Sequence, residues 1–131
     1  MRVHTFYNFL LLIILIATLG VSCKQSKQIV RPAKVTYPVE NSRWAISYDH
    51  PQYGRRDFDV VFLPEGKLEC YNPDDITPDN DEWEIIDGYI YIYMNNKFSK
   101  YRAVFLDSKA IRGTAESEIG GNWEWSAVKK E

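Results

Sequence analysis

From Ser42 onward, apolar and polar residues alternate with a period of two, and runs of five to eight are separated by turn residues. The alternation predicts strands at Arg43–Tyr48, Asp57–Leu63, Leu68–Asn72, Glu82–Ile86, Tyr89–Met94, Lys100–Leu106, Ala110–Ser117 and Asn122–Lys129. No stretch carries a helical stripe with caps. The strongest turn signal is Asp87-Gly88, a dipeptide suited to the positive φ that both centres of a type I′ hairpin need. A two-residue turn there sets Ile86 opposite Tyr89, Ile85 opposite Ile90 and Trp83 opposite Ile92. One face then holds Trp83, Ile85, Ile90, Ile92 and Met94 and is the core face. The other holds Glu82, Glu84, Ile86, Tyr89, Tyr91 and Tyr93.

The same reasoning extends along the chain. A three-residue link Asp107-Ser108-Lys109 places Phe105 opposite Ile111, Ala103 opposite Gly113, Arg102 opposite Thr114 and Lys100 opposite Glu116. Apolar meets apolar and charge meets opposite charge. The last strand turns Trp123, Trp125 and Ala127 inward, and the first turns Trp44, Ile46 and Tyr48 inward. Gly113 and Ala115 are small, which leaves room for the indole rings. A three-residue link Glu65-Gly66-Lys67 points Cys70 inward beside Phe62.

Eight alternating antiparallel strands form a sandwich or a closed barrel. Uniformly short sequential links favour an all-β, up-and-down barrel, because Greek-key sandwiches need a long crossover. Strands of this length are short of the ~9–11 residues that cross a bilayer. Pro64–Lys67, Asp87-Gly88 and Asp107–Lys109 are tight and fall at one end. Asp49–Arg56, Pro73–Asp81, Asn95–Ser99 and Glu118–Gly121 fall at the other and are mostly longer. Functional residues concentrate on longer loops carried by a rigid scaffold, so the long-loop end is the expected site.

The first 22 residues read differently. Arg2 and His4 precede an apolar run, Phe9 to Leu19, with no acidic residue before Cys23. That is the pattern of an export signal, and the run is short for a transmembrane helix. Leu19-Gly20-Val21-Ser22-Cys23 resembles the lipobox of bacterial lipoproteins. The resemblance implies cleavage before Cys23, lipidation of its sulfur and acylation of the new amino group. Residues 23–41, with Pro32 and Pro38, read as a lipidated cysteine and tether ahead of a domain at 42–131. Residues 23–131 hold 15 Lys+Arg against 18 Asp+Glu, a net charge of −3. No basic face calls for a nucleic-acid partner. With Cys23 committed to lipid, Cys70 has no disulfide partner, so the fold must stand on its core.

The barrel pattern resembles the small bacterial lipocalin-like (calycin-type) domains. The residues that carry the resemblance are Trp44 on the first strand, the Asp87-Gly88 hairpin, and Gly113-Thr114-Ala115 with Gly120-Gly121-Asn122-Trp123-Glu124-Trp125-Ser126-Ala127 at the close. It covers residues 42–130. Lipocalins carry Gly-x-Trp on the first strand, whereas this chain has Ser42-Arg43-Trp44 and is much shorter. The resemblance implies a non-catalytic binding module.

Candidate chemistry is sparse. The acidic run Asp74–Glu82 is rich in oxygen ligands but lacks the spacing of an EF-hand, and it reads as a solvated turn. His50 is the only histidine after residue 22, with no partner marked by spacing for acid–base or nucleophilic work. No zinc spacing, phosphate loop or cofactor motif is present, so neither enzyme activity, a metal nor a cofactor is expected. A small apolar ligand at the barrel mouth would meet Tyr53, Arg55, Arg56, Tyr101 and Trp123. Alternatively, an envelope protein would meet the outer stripe Ile86, Tyr89, Tyr91 and Tyr93, or the long-loop end, with the barrel as rigid platform. The expected address is outside the cytoplasm, held by the Cys23 anchor on a bacterial membrane, the outer one, facing the periplasm or the surface.

Overall fold

A computed structural model describes residues 36–131. The leader, Cys23 and the first part of the expected tether lie outside the described residues. The strands are β1 (Ser42–His50), β2 (Gly54–Phe62), β3 (Leu68–Cys70), β4 (Glu82–Ile86), β5 (Tyr89–Met94), β6 (Ser99–Phe105), β7 (Ala110–Ser117) and β8 (Asn122–Lys129). They form one eight-stranded antiparallel sheet in the order β3-β2-β1-β8-β7-β6-β5-β4. Each strand pairs with its sequence neighbours except β3 and β4, which are the two edges, and β1 also pairs with β8. Among the described residues, backbone pairing between the two edges is limited to the Lys67–Glu82 bridge and the Leu68 N–H bond to Asp81 O at 3.0 Å. The result is a nearly closed up-and-down barrel, consistent with the lipocalin-like architecture.

The hairpin registers follow the turn chemistry. Asp87 and Gly88 sit at φ 53° and 76°, and Trp83–Ile92, Ile85–Ile90 and Ile86–Tyr89 are opposed. Lys100–Glu116, Arg102–Thr114, Ala103–Gly113 and Phe105–Ile111 are opposed across β6 and β7. The β2–β3 link departs from expectation. It runs Leu63–Lys67, with a 3₁₀ turn at Pro64–Gly66 and Glu65 and Gly66 at φ 60° and 75°. Pro64 has no N–H for a ladder, so the last paired position is Phe62 rather than Pro64. Phe62 therefore opposes Leu68, and Cys70 opposes Val60. The two-residue shift preserves the face, and Cys70 still points inward.

At the opposite end β1 and β2 run further than their alternation predicts. Asp49 pairs with Arg55 and His50 with Gly54, which leaves only Pro51–Tyr53 as loop. Gly54 at φ 72° makes that short reversal possible.

The interior is filled. Trp44, Ile46, Val60, Phe62, Ile90, Ile92 and Ile111 are almost wholly buried, with Trp125, Ala103 and Ala127 packed among them. Trp44 and Trp83 present edge-on to Phe62 at 6.3 and 5.4 Å. Val39 is 1% exposed, and Asn41 N–H bonds Phe62 O at 2.7 Å. Packing thus begins ahead of Ser42, inside the stretch that reads as tether. Gly113 is small for a reason other than the indoles. A Cβ there would stand 1.9 Å from Arg102 O and 2.5 Å from Ala103 Cα, so it is the approach of β6 that requires glycine.

The C-terminus is fastened by one carboxylate. Asp59 Oδ2 receives both Arg43 and Lys130, each at 2.8 Å. The Lys130 and Arg43 hydrogen bonds hold its pKa below the ordinary carboxylate value. A depressed folded-state pKa gives stability that is present above the ordinary value and lost as pH falls through the folded one. Asp59→Asn should therefore lower the melting temperature at pH 7 and flatten the acid limb of a pH–melting profile. An acid limb unchanged in the variant would disprove this role.

Candidate functional site at the barrel mouth

Four loops ring the open end of the barrel: Pro51–Tyr53, the 71–81 segment, Asn95–Phe98 and Glu118–Gly121. Asn95, Asn96 and Lys97 all take positive φ, at 53°, 58° and 68°, which folds the β5–β6 turn over the rim. Inside these loops sits a cavity of about 170 Å³ lined by residues from all four, among them Tyr48, His50, Tyr53, Phe98, Tyr101 and Trp123. An adjoining recess of about 330 Å³ shares Tyr48, Tyr53, Asn72 and Asn95 and adds Arg56 and Asp74.

The floor is an aromatic cluster centred on Trp123. Its ring centroid lies 4.6 Å from His50, 5.7 Å from Tyr48 and 5.8 Å from Tyr101. The Tyr53 ring lies 4.6 Å from His50, tilted by 31°. These spacings are those of offset and edge-on ring pairs. The strand period explains the cluster. Positions 44, 46 and 48 of β1 face inward, so 50 does too, and Trp123 and Tyr101 stand on inward positions of β8 and β6 near the same rim.

Polar groups in the cluster are mostly satisfied. Tyr48 and Tyr101 share a side-chain hydrogen bond, and burial raises both phenol pKa values. His50 Nδ1 accepts the Gln52 and Tyr53 N–H groups at 3.1 and 3.3 Å. The exception is an indole. Trp44 Nε1 donates to Ser42 Oγ at 2.8 Å, Trp83 Nε1 to Leu63 O at 2.9 Å, and Trp125 Nε1 to Thr114 O at 3.1 Å. Trp123 Nε1 is buried and has no acceptor among the described residues.

The chain matches no family model, no curated protein and no solved structure. Its chemistry has to be read from its own residues.

Of the expected ligand residues, Tyr53, Tyr101 and Trp123 line the mouth cavity, and Arg56 lines the recess beside it. Arg56 is engaged there, with Nε 2.9 Å from Asp74 Oδ2 and a terminal nitrogen donating to Tyr53 O at 2.7 Å. Arg55 has the opposite parity on β2. It lies on the outer wall, where it bonds Asp57 at 2.8 Å and Ser47 at 2.6 Å. Tyr48, His50 and Phe98 also line the cavity. The inward parity of Tyr48 was readable from the sequence, whereas the placement of His50 depends on how far β1 continues.

The outer stripe is also assembled. Tyr91 and Tyr93 are parallel to within 9° at 6.5 Å, with Tyr89 next to Tyr91. Arg102 lies 3.9 Å over the Tyr89 ring. Tyr93 donates to Glu84 at 2.7 Å, and that bond pushes its phenol up to about 12. Ile86 is 47% exposed beside them.

The acidic segment is less solvated than its composition suggests. Asp81 is buried, and burial pushes its carboxyl up to about 7. Cys70 lies close by, its thiol pushed up to about 12 by burial.

Proposed function

We propose that this protein is a membrane-anchored bacterial lipoprotein whose barrel is a non-catalytic binding module for a small, largely apolar ligand. The ligand sits at the long-loop mouth and carries a hydrogen-bond acceptor for Trp123. The observation that carries this reading is the indole N–H of Trp123, the only one of four without an acceptor among the described residues. Leaving a buried donor unpaired costs about 1–3 kcal/mol, and an acceptor on a ligand removes that cost. Ligand sites are typically apolar and aromatic with a few placed polar groups, which describes this floor. The filled interior leaves the mouth as the place for a guest. A cavity of about 170 Å³ admits one end of a ligand, and the adjoining recess takes the rest. The engagement of His50 Nδ1 within its own loop supports a binding rather than a catalytic role. The anchor itself rests on the Val21-Ser22-Cys23 pattern.

The test is native mass spectrometry of the full-length lipoprotein extracted in mild detergent. We expect a co-purifying small-molecule adduct, weakened about tenfold or more in Trp123→Phe, since ~1.4 kcal/mol is tenfold. An adduct of equal occupancy in the variant would overturn the reading.

A second reading has a specific observation in its favour. The parallel Tyr91–Tyr93 pair borders a groove of about 550 Å³ lined also by Lys100, Arg102 and Glu116. Tyrosine and arginine are enriched at protein interfaces. If an envelope protein docks there, Tyr91→Ser should remove it from a cross-linked pull-down, and an unchanged partner set would sink the idea.

A further inference from the structure

Three side chains converge beside the mouth without any part in ligand binding. Cys70 is the last residue of β3, and Asp75 and Asp81 stand in the loop leading to β4. The Cys70 sulfur and one oxygen from each carboxylate lie within 4.8 Å of one another. What sets this apart from an ordinary acidic loop is how each carboxylate is held. Asp75 Oδ1 accepts the Thr77 N–H and Asp81 Oδ1 accepts the Asn95 N–H, both at 2.9 Å. The second oxygen of each, Oδ2, is buried and receives no hydrogen bond from outside the cluster, where only the Cys70 thiol and the other carboxylate face it. Asp81 as a residue is only 3% exposed. Each carboxylate is thus oriented by one backbone amide and presents a bare oxygen where water cannot serve it. Like charges this close repel strongly where the dielectric is low, and a cation relieves both at once.

We propose that Cys70, Asp75 and Asp81 bind a borderline divalent cation of the zinc class. The donor set decides the class. Calcium takes six to eight oxygens, and magnesium takes an octahedron of oxygens and waters. A thiolate with two carboxylates suits zinc, which accepts sulfur and oxygen together at four-coordinate sites. The fourth position falls to water. Binding releases the thiol proton, and any proton the carboxylates share, to solvent, with no change of oxidation state. The Thr77 and Asn95 amides act as the outer-shell hydrogen bonds that fix ligating carboxylates.

The cation would work as a clasp. Among the described residues, backbone pairing between the β3 and β4 edges is limited to the Lys67–Glu82 bridge and the Leu68–Asp81 bond, and the three ligands sit on either side of that gap. Asn72 and Asp74, which line the mouth recess, belong to the loop being tied down. Asn95, which holds Asp81, opens the β5–β6 turn on the far rim. The metal would therefore set the shape of one wall of the mouth.

The test uses the full mature chain with Co²⁺ as a spectroscopic probe, followed by Zn²⁺ displacement. We expect a one-to-one complex with a thiolate-to-cobalt charge-transfer band and tetrahedral d–d bands, both lost when Zn²⁺ is added. Cys70→Ser should abolish the charge-transfer band. Asp81→Asn keeps an acceptor for Asn95 and offers an N–H toward Asp75, so it should stay folded while binding about 100-fold more weakly or worse. Absence of the band in the wild-type chain would overturn the proposal. So would a band that persists in Cys70→Ser, which would place the metal on an unlipidated Cys23, or unchanged affinity in Asp81→Asn. A melting temperature insensitive to Zn²⁺ would assign the cluster to a proton shared between the two carboxylates, and one raised by Ca²⁺ alone would refute the zinc class.

Discussion

Gly113→Ala should destabilise the barrel by about 3 kcal/mol or more, at the upper end of what overpacking does. For a domain of this size each kcal/mol shifts the melting temperature by about 4–8 °C, so the midpoint should fall by ~15 °C or the protein should not fold. The added methyl would lie 1.9 Å from Arg102 O and 2.5 Å from Ala103 Cα. Both are backbone atoms, so no rotamer change relieves the clash. β6 must separate from β7, and with it the ladder from Ser99–Ser117 to Phe105–Ile111. Thr114→Ala, one residue on and facing solvent, is the control and should change little. Thermal melts by circular dichroism decide the matter, and equal midpoints for the two variants would refute the close-approach argument.

Trp44→Ala should cost about 3–5 kcal/mol, the range for emptying a buried aromatic site. Trp44 has no exposed surface, meets Phe62 edge-on at 6.3 Å, and donates to Ser42 Oγ at 2.8 Å. Ser42 in turn bonds Val39 O, so the ring ties the incoming segment to the core as well as filling it. Trp44→Phe keeps the packing in part and should lose roughly half as much. The measurement is the urea midpoint, with the slope unchanged if the unfolded state is unaffected. A stability loss (midpoint shift times slope) below about 1 kcal/mol for Trp44→Ala would mean the interior relaxes around the site.

How far the fold can be read ahead of coordinates depends on what carries the signal. Asp87-Gly88 needs positive φ at both residues, and few other turns suit that pair, so the register of Trp83, Ile85, Ile90 and Ile92 was legible. Alternation then carried the inside face through Trp44, Phe62, Phe105, Trp123 and Trp125, because one strand's parity constrains its neighbour's. The β2–β3 register was not legible. The choice between a three-residue and a five-residue link turned on Pro64 ending the ladder and on Glu65 taking a left-handed conformation that its residue type does not advertise. The reach of β1 and β2 to His50 and Gly54 was hidden by Asp49, Arg55 and Arg56, polar residues that read as loop and instead decorate a strand end.

The mouth was legible in outline and not in detail. Loop lengths pointed to the end where the four-loop cavity lies, and Tyr53, Tyr101 and Trp123, which line that cavity, were nameable from parity and position. That His50 packs against Trp123, and that Trp123 is the indole left without an acceptor among the described residues, depends on strand extension and on which carbonyls come within reach. The Cys70–Asp75–Asp81 convergence was invisible for a related reason. Asp75 and Asp81 share a stretch with Asp74, Asp79 and Glu82, and composition alone does not say which of these five acids turns inward.

The central claim is that a guest meets Trp123 at the mouth and goes no deeper. It is tested by following the four indole N–H resonances of ¹⁵N-labelled protein during titration with anilinonaphthalene sulfonate, an apolar probe with acceptor oxygens. A saturable shift of the Trp123 indole signal is expected, with Trp44 and Trp125 unmoved. Shifts at Trp44 or Trp125 while Trp123 stays still would contradict it, as would a saturated probe that leaves all four unchanged.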